Sequence, residues 1–117
     1  MSNTSFFAED LIPPYYAVIF TNVLRGSGHP DYEKTAIRMV ELAEQQDGFL
    51  GIESTRDEQG HGITVSYWAS EEALLAWKMN VEHTAARERG RNDFYQKYQL
   101  RVAKVERAYS FDFESSE

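Results

Sequence analysis

Residues 15–24, YYAVIFTNVL, limit what this chain can fold into more than any other stretch. The segment is rich in aromatic and β-branched residues, shows no helical period and follows a stiff Pro13-Pro14 pair, so it reads as a strand. Tyr16, Val18, Phe20 and Leu24 fall on one face; Tyr15, Ala17, Ile19 and Val23 fall on the other. A strand that is apolar on both sides must be covered on both sides. Helices of the same chain can cover one side. A second copy of the same sheet is the economical cover for the other, which predicts a homodimer with face-to-face sheets burying about 800 Å² or more per partner. Asn22 interrupts the row of Phe20 and Leu24, mid-strand, where asparagine is disfavoured. An amide there needs a hydrogen-bond partner, either the neighbouring backbone or a bound oxygen or water.

The remaining elements follow from period and punctuation. RGSGHP is a loop, and Pro30-Asp31 opens a helix carrying Tyr32, Ala36, Met39, Val40 and Ala43 at helical spacing. Gly48 is the expected C-cap of that helix. FLGIESTRD and GITVSYWAS read as two strands joined by the hairpin loop DEQGHG. Ser70 caps a second helix, with Glu71 and Glu72 where the helix dipole favours anions. Leu74, Trp77 and Val81 form its apolar stripe, and the helical pattern continues past a break near Asn80. The last strand, YQLRVAKVERAYSF, slips its apolar phase between Val102 and Ala103, which predicts a bulge there. The order β-α-β-β-α-β is the ferredoxin-like α+β fold: a four-stranded antiparallel sheet with two helices on one face. Residues 1–14 form an N-terminal arm, 15–109 the domain and 110–117 an acidic tail.

Composition excludes several kinds of chemistry. A chain of 117 residues suits one domain. The net charge of −7 and the absence of a basic face argue against nucleic acid. Arg87, Arg89 and Arg91 are interrupted by Glu88 and Gly90 and read as a solvated helix face. There is no cysteine, which removes disulfides, thiolate metal sites and cysteine nucleophiles. His29, His61 and His83 sit in different elements without metal-ligand spacing, so no metal site is expected. The N-terminus lacks the basic region of a signal peptide, and no run reaches the ~18 apolar residues of a membrane span. A cytoplasmic protein is the expectation.

The chemistry-bearing residues each have a plain reading. Trp77 on its stripe is most simply core, as is Trp68 at a strand end, and His83 beside the helix break is most simply a surface or capping residue with its ring partly exposed. Taken together, however, YWASEEALLAW, EHTAARERGR and the closing YQLRVAKVERAY resemble the antibiotic biosynthesis monooxygenase family of dimeric α/β barrels, over roughly residues 15–109. The resemblance implies a dimer and two kinds of oxygenase. In one, no cofactor is used and an electron-rich aromatic substrate itself activates oxygen, helped by polar side chains and a tryptophan. In the other, heme is degraded, using a first-strand asparagine, a helix tryptophan and a histidine ligand. Asn22 and Trp77 match the first two of these, and the ligand position falls on Arg87, with His83 one turn earlier. Arginine stays protonated and cannot ligate iron. The resemblance therefore implies a cofactor-independent monooxygenase acting on a small aromatic or quinone-like molecule. Asn22, Trp77 and His83 are its expected catalytic residues, and Phe20, Trp68 and Arg87 its expected substrate contacts. Heme degradation and a non-catalytic dimeric ligand-binding or stress-response module are the alternatives.

Overall fold

The computed structural model describes residues 6–114. Strand β1 (Tyr15–Leu24) is followed by helix α1 (Tyr32–Glu44), strands β2 (Phe49–Arg56) and β3 (His61–Trp68), helices α2 (Glu71–Lys78) and α3 (Val81–Arg89), a π-helical turn (Gly90–Phe94) and strand β4 (Tyr95–Val105). The sheet order is β2-β3-β1-β4, antiparallel throughout, which is the ferredoxin-like topology. Residues 1–5 of the expected arm and 115–117 of the expected tail lie outside the described residues.

Strand β1 pairs with β3 on one edge and β4 on the other, with Tyr16 opposite Trp68 and Asn22 opposite Gly62. Alternation then fixes the two faces. The row of Tyr16, Val18, Phe20 and Asn22 looks toward the helices, because Trp68 meets Trp77 of α2 and Arg56 meets Tyr32 of α1. The opposite row is the open face. There Tyr15 and Ala17 are buried, Ile19 and Val65 are half-buried and Ile63 is 46% exposed. Part of the arm lies on this face. The Ala8 backbone N–H donates to Glu53 Oε2 at 3.0 Å, and the Tyr67 hydroxyl donates to Glu53 Oε1 at 2.7 Å. Gly51 makes this possible, since a Cβ there would stand 2.7 Å from the Ala8 Cβ.

Three expectations need correction. The bulge is not at Val102/Ala103, where pairing with Val18 and Ala17 is continuous; the register shifts at Val23/Leu24, opposite Tyr95–Lys97. The slip in apolar phase marks instead an outer strand whose Arg101–Lys104 segment is exposed and so is not constrained by a covered face. Gly48 is not the C-cap of α1, a place taken by Gln45. At φ +84° it turns the chain into β2, its carbonyl accepts from Ala69 N–H at 2.7 Å, and a Cβ there would stand 2.5 Å from the Ala73 Cβ. Val81 does not extend the stripe of Leu74 and Trp77 and is 82% exposed. The helix stops at Met79 and restarts behind Asn80, whose Oδ1 accepts from His83 N–H at 3.0 Å, so the face turns between the two helices. The break expected near Asn80 is thus present, and the second helical stretch consists of α2, α3 and a π turn.

Candidate active site

The Trp68 side chain has 0% of its surface exposed. Its indole N–H donates to Ser66 Oγ at 2.9 Å, and its ring meets Phe49 edge-on. Trp68, expected as a substrate contact, has no exposed surface and backs the next ring. Trp77, half-buried, stacks on Trp68 with centroids 6.0 Å apart and planes 22° apart. Ser70 sets the start of α2 by accepting from Ala73 N–H at 3.1 Å, and this brings Trp77 over the strand end. His83 then lies flat on Trp77, with centroids 4.2 Å apart and planes 9° apart. The restart of the helix at Asn80 produces this stack, since residues six apart on one unbroken helix would not overlie each other.

The His83 ring is only half exposed, and its Nδ1 lies 3.0 Å from the Trp77 carbonyl oxygen. A carbonyl can only accept, so Nδ1 carries the proton and Nε2 is left as an acceptor. Burial holds the imidazole below its ordinary range; the bond to the Trp77 carbonyl opposes this, and the Arg87 charge adds to the lowering. Neutral His83 is thus an oriented base. Arg87 is half-buried one turn further along α3, and its Nε is buried without a partner among the described residues.

Asn22 belongs to a second cluster. It stands six residues along β1 from Tyr16, the residue paired with Trp68, a separation of about 20 Å at ~3.3 Å per residue. Its Oδ1 accepts from Arg56 Nη2 at 2.7 Å. Phe20 is its neighbour, with its ring 5.3 Å from those of Tyr95 and Tyr98. Burial, reinforced by hydrogen bonding to Tyr32, pushes the Tyr95 hydroxyl well above its ordinary range, so it stays protonated. Helix α3 runs between the clusters, ending where Arg89 Nη1 meets Asp31 Oδ2 at 3.4 Å beside Tyr32. The structure thus brings Trp68, Trp77 and His83 together and sets Asn22 and Phe20 apart from them. Sequence reasoning missed Arg56 and Tyr32. The signal for Arg56 was Asn22 itself, a buried amide in need of a donor or acceptor from another strand.

Two hollows lie at the Asn22 end of the sheet: one, of about 410 Å³, is lined by Thr21, Asn22, Thr55, Arg56, His61 and Ile63 among others, and the other, of about 250 Å³, by Thr21, Asn22, Val23, Lys97, Tyr98 and Gln99 among others. His61 Nδ1 lies 3.0 Å from Asp57 Oδ2 at the hairpin tip, and backbone bonds from His61 and Gln59 hold that carboxyl below its usual range.

The position where the resemblance places the iron ligand does not fit a heme: it holds Arg87, which stays protonated and cannot ligate iron. Among the described residues no group of three or more His, Asp or Glu side chains could hold a metal ion, and no helix is long and apolar enough to cross a membrane.

The sequence profile of the antibiotic biosynthesis monooxygenase family matches residues 14–89, and the chain belongs to that family. It is 50% identical over 106 residues to the uncharacterized protein YqjZ of Bacillus subtilis (strain 168), covering 91% of this chain and 92% of that one. It is 31% identical over 94 residues to the jasmonate monooxygenase ABM of Pyricularia oryzae, covering 77% of this chain and 43% of that longer protein. Its fold matches the crystal structure of SnoaB, a cofactor-independent oxygenase from Streptomyces nogalater, with a TM-score of 0.70 at 10% identity over 82% of this chain and 97% of that one.

The His83 environment has a consequence for stability. An imidazole held below its ordinary value of about 6.5 binds a proton less readily folded than unfolded. Its contribution is complete above about pH 6.5 and is lost as pH falls from there through the lowered folded value. Thermal melts between about pH 8 and 5 should show His83→Gln losing less stability on acidification than the parent. Parallel curves for the two proteins would show that the ring is not held neutral by its surroundings.

Proposed function

We propose that the chain is a monooxygenase that uses no bound cofactor and oxidises a small, electron-rich aromatic or quinone-like substrate against the Trp77–His83 face. One observation carries this reading: an imidazole stacked at 4.2 Å on an indole, with Nδ1 bound to the Trp77 carbonyl and Nε2 left to accept a proton. Family membership supports it, as do the names of two proteins the chain resembles, a jasmonate monooxygenase and a cofactor-independent oxygenase. In this reading Nε2 of His83 takes the proton of a substrate hydroxyl or activated methylene. The anion so formed is electron-rich enough to reduce dioxygen. For a ring methylene, CH2 and O2 become C=O and H2O, so atoms and electrons balance without an external reductant. Trp77 offers the flat wall, and Arg87, with its unpaired Nε and fixed charge, stabilises the developing anion. Trp68 acts behind Trp77 and holds it in place. Oxygen uptake with a panel of hydroquinones and anthrones tests the reading. Turnover should fall at least about tenfold in His83→Gln, or about 1.4 kcal/mol in barrier, with the fold retained. If no compound is oxidised faster than in buffer, the reading fails and a non-catalytic ligand-binding module takes its place.

We also propose that a second copy covers the open face of the sheet. Ile63 is 46% exposed there, and Ile19, Val23 and Val65 are half-buried beside it. Light scattering at micromolar concentration should give twice the chain mass, and Val65→Lys should halve it. A parent protein that stays folded and monomeric would contradict the pairing.

A further inference from the structure

The register places Glu53, Val65, Ile19 and Arg101 in one row across β2, β3, β1 and β4. All four fall on the open face, because the alternate residues of β1 look toward the helices. Two rows further along, Val23 stands between His61 and Lys97, and Asp57 closes the row on the β2 side, its backbone N–H donating to the His61 carbonyl at 2.9 Å. The open face therefore has carboxylates, Glu53 and Asp57, along its β2 edge and cations, Arg101 and Lys97, along its β4 edge. Within one copy these charges stay apart, since three strand spacings, about 14 Å, separate the two edges. Glu53 accepts only from neutral donors, the Ala8 N–H and the Tyr67 hydroxyl. Arg101 Nη2 donates to the neutral Gln99 Oε1 at 2.6 Å. Among the described residues neither Arg101 nor Lys97 has a carboxylate within ion-pair distance.

We infer that a second copy docks on this face about a two-fold axis parallel to the strands, so that Glu53 of each copy pairs with Arg101 of the other and Asp57 with Lys97 of the other. This rests on the proposal that a second copy covers the open face, and it specifies how the copy lies. Two aligned sheets packed face to face leave two choices for a two-fold axis between them, along the strands or across them. An axis along the strands exchanges the edges: β2 lies over β4 of the other copy, and carboxylates meet cations at matching heights on both sides. An axis across the strands lays β2 on β2, acidic edge on acidic edge and basic on basic, and like charges set against each other are costly. The rest of the face fits the first choice. Ile19 and Val65 meet Val65 and Ile19 of the other copy at the centre. The arm, whose Ala8 sits over Gly51, comes to lie opposite Ala103, the last residue of the Gly51 row, whose small side chain leaves it room. Packed sheets cross at about 30°, which displaces an edge residue by about 4 Å along the facing strand. Arginine and lysine side chains are long enough to follow.

Sedimentation over a concentration series tests the pairing. Arg101→Glu and Glu53→Lys each set like charges together on both sides of a homodimer and should raise its dissociation constant at least about tenfold. An equimolar mixture of the two variants should dimerise as the parent does, because the lysine of one chain then faces the glutamate of the other. The chain has no cysteine, so cross-links can be placed at will. Thr55 and Gln99 end the row between the two charged ones, at its β2 and β4 edges, and both are exposed. A bismaleimide spanning about 10 Å, the spacing of packed sheets, should join Thr55→Cys to Gln99→Cys in a mixture and neither variant to itself. Should Glu53→Lys fail to fold, Arg101→Glu and the cross-links decide, all of them at exposed positions. A monomeric parent sinks the covering of the face and the orientation with it. A dimer whose dissociation constant Arg101→Glu leaves unchanged, or in which Thr55→Cys or Gln99→Cys links chiefly to itself, overturns the orientation alone.

Discussion

Strand β1 is hydrogen-bonded along both edges, and its register places everything else. With Tyr16 opposite Trp68 and Asn22 opposite Gly62, the strand carries one cluster at each end of its helix-side row. A slip by one residue would turn Phe20 and Asn22 to the open face and take Arg56 away from its acceptor. The two glycines on the flanking strands serve the same arrangement: Gly62 lets a guanidinium lie flat on the sheet, and Gly51 admits the arm on the reverse side.

The helix-side face divides into two environments of opposite character. At the Trp68 end the packing is aromatic and burial keeps the His83 imidazole below its ordinary range. At the Asn22 end a permanent cation is held by neutral acceptors among tyrosines. The break at Asn80 is decisive for the first environment. By ending α2 and restarting α3, it lets the chain lay a histidine over a tryptophan of the preceding helix, a contact that costs one turn of regular hydrogen bonding and is partly repaid by the Asn80 cap on His83.

Much of this was legible in the sequence, for physical reasons that also mark where legibility stops. The run from Trp68 through Ser70 to Trp77 is local, so cap and period locate it well, as they do the break near Asn80. The direction taken by the chain after that break is set by packing, and Val81 was accordingly assigned to a stripe it does not join. Asn22 announced itself as a polar residue in an apolar row, but its partner lies 34 residues away on a strand that does not even adjoin β1. Nothing in a single sequence specifies the pairing that lets Arg56 cross Gly62. The misplaced bulge has the same origin: alternation reports covering, and β4 is covered too little for its pattern to report register.

The central claim is that His83 is a neutral, oriented base resting on Trp77. Nitrogen-15 chemical shifts of its imidazole, followed from about pH 8 to pH 4, test it most directly. The account predicts the tautomer protonated on Nδ1 near neutral pH and a midpoint below the ordinary value of about 6.5. A ring protonated on Nε2, or a midpoint above that value, would contradict it.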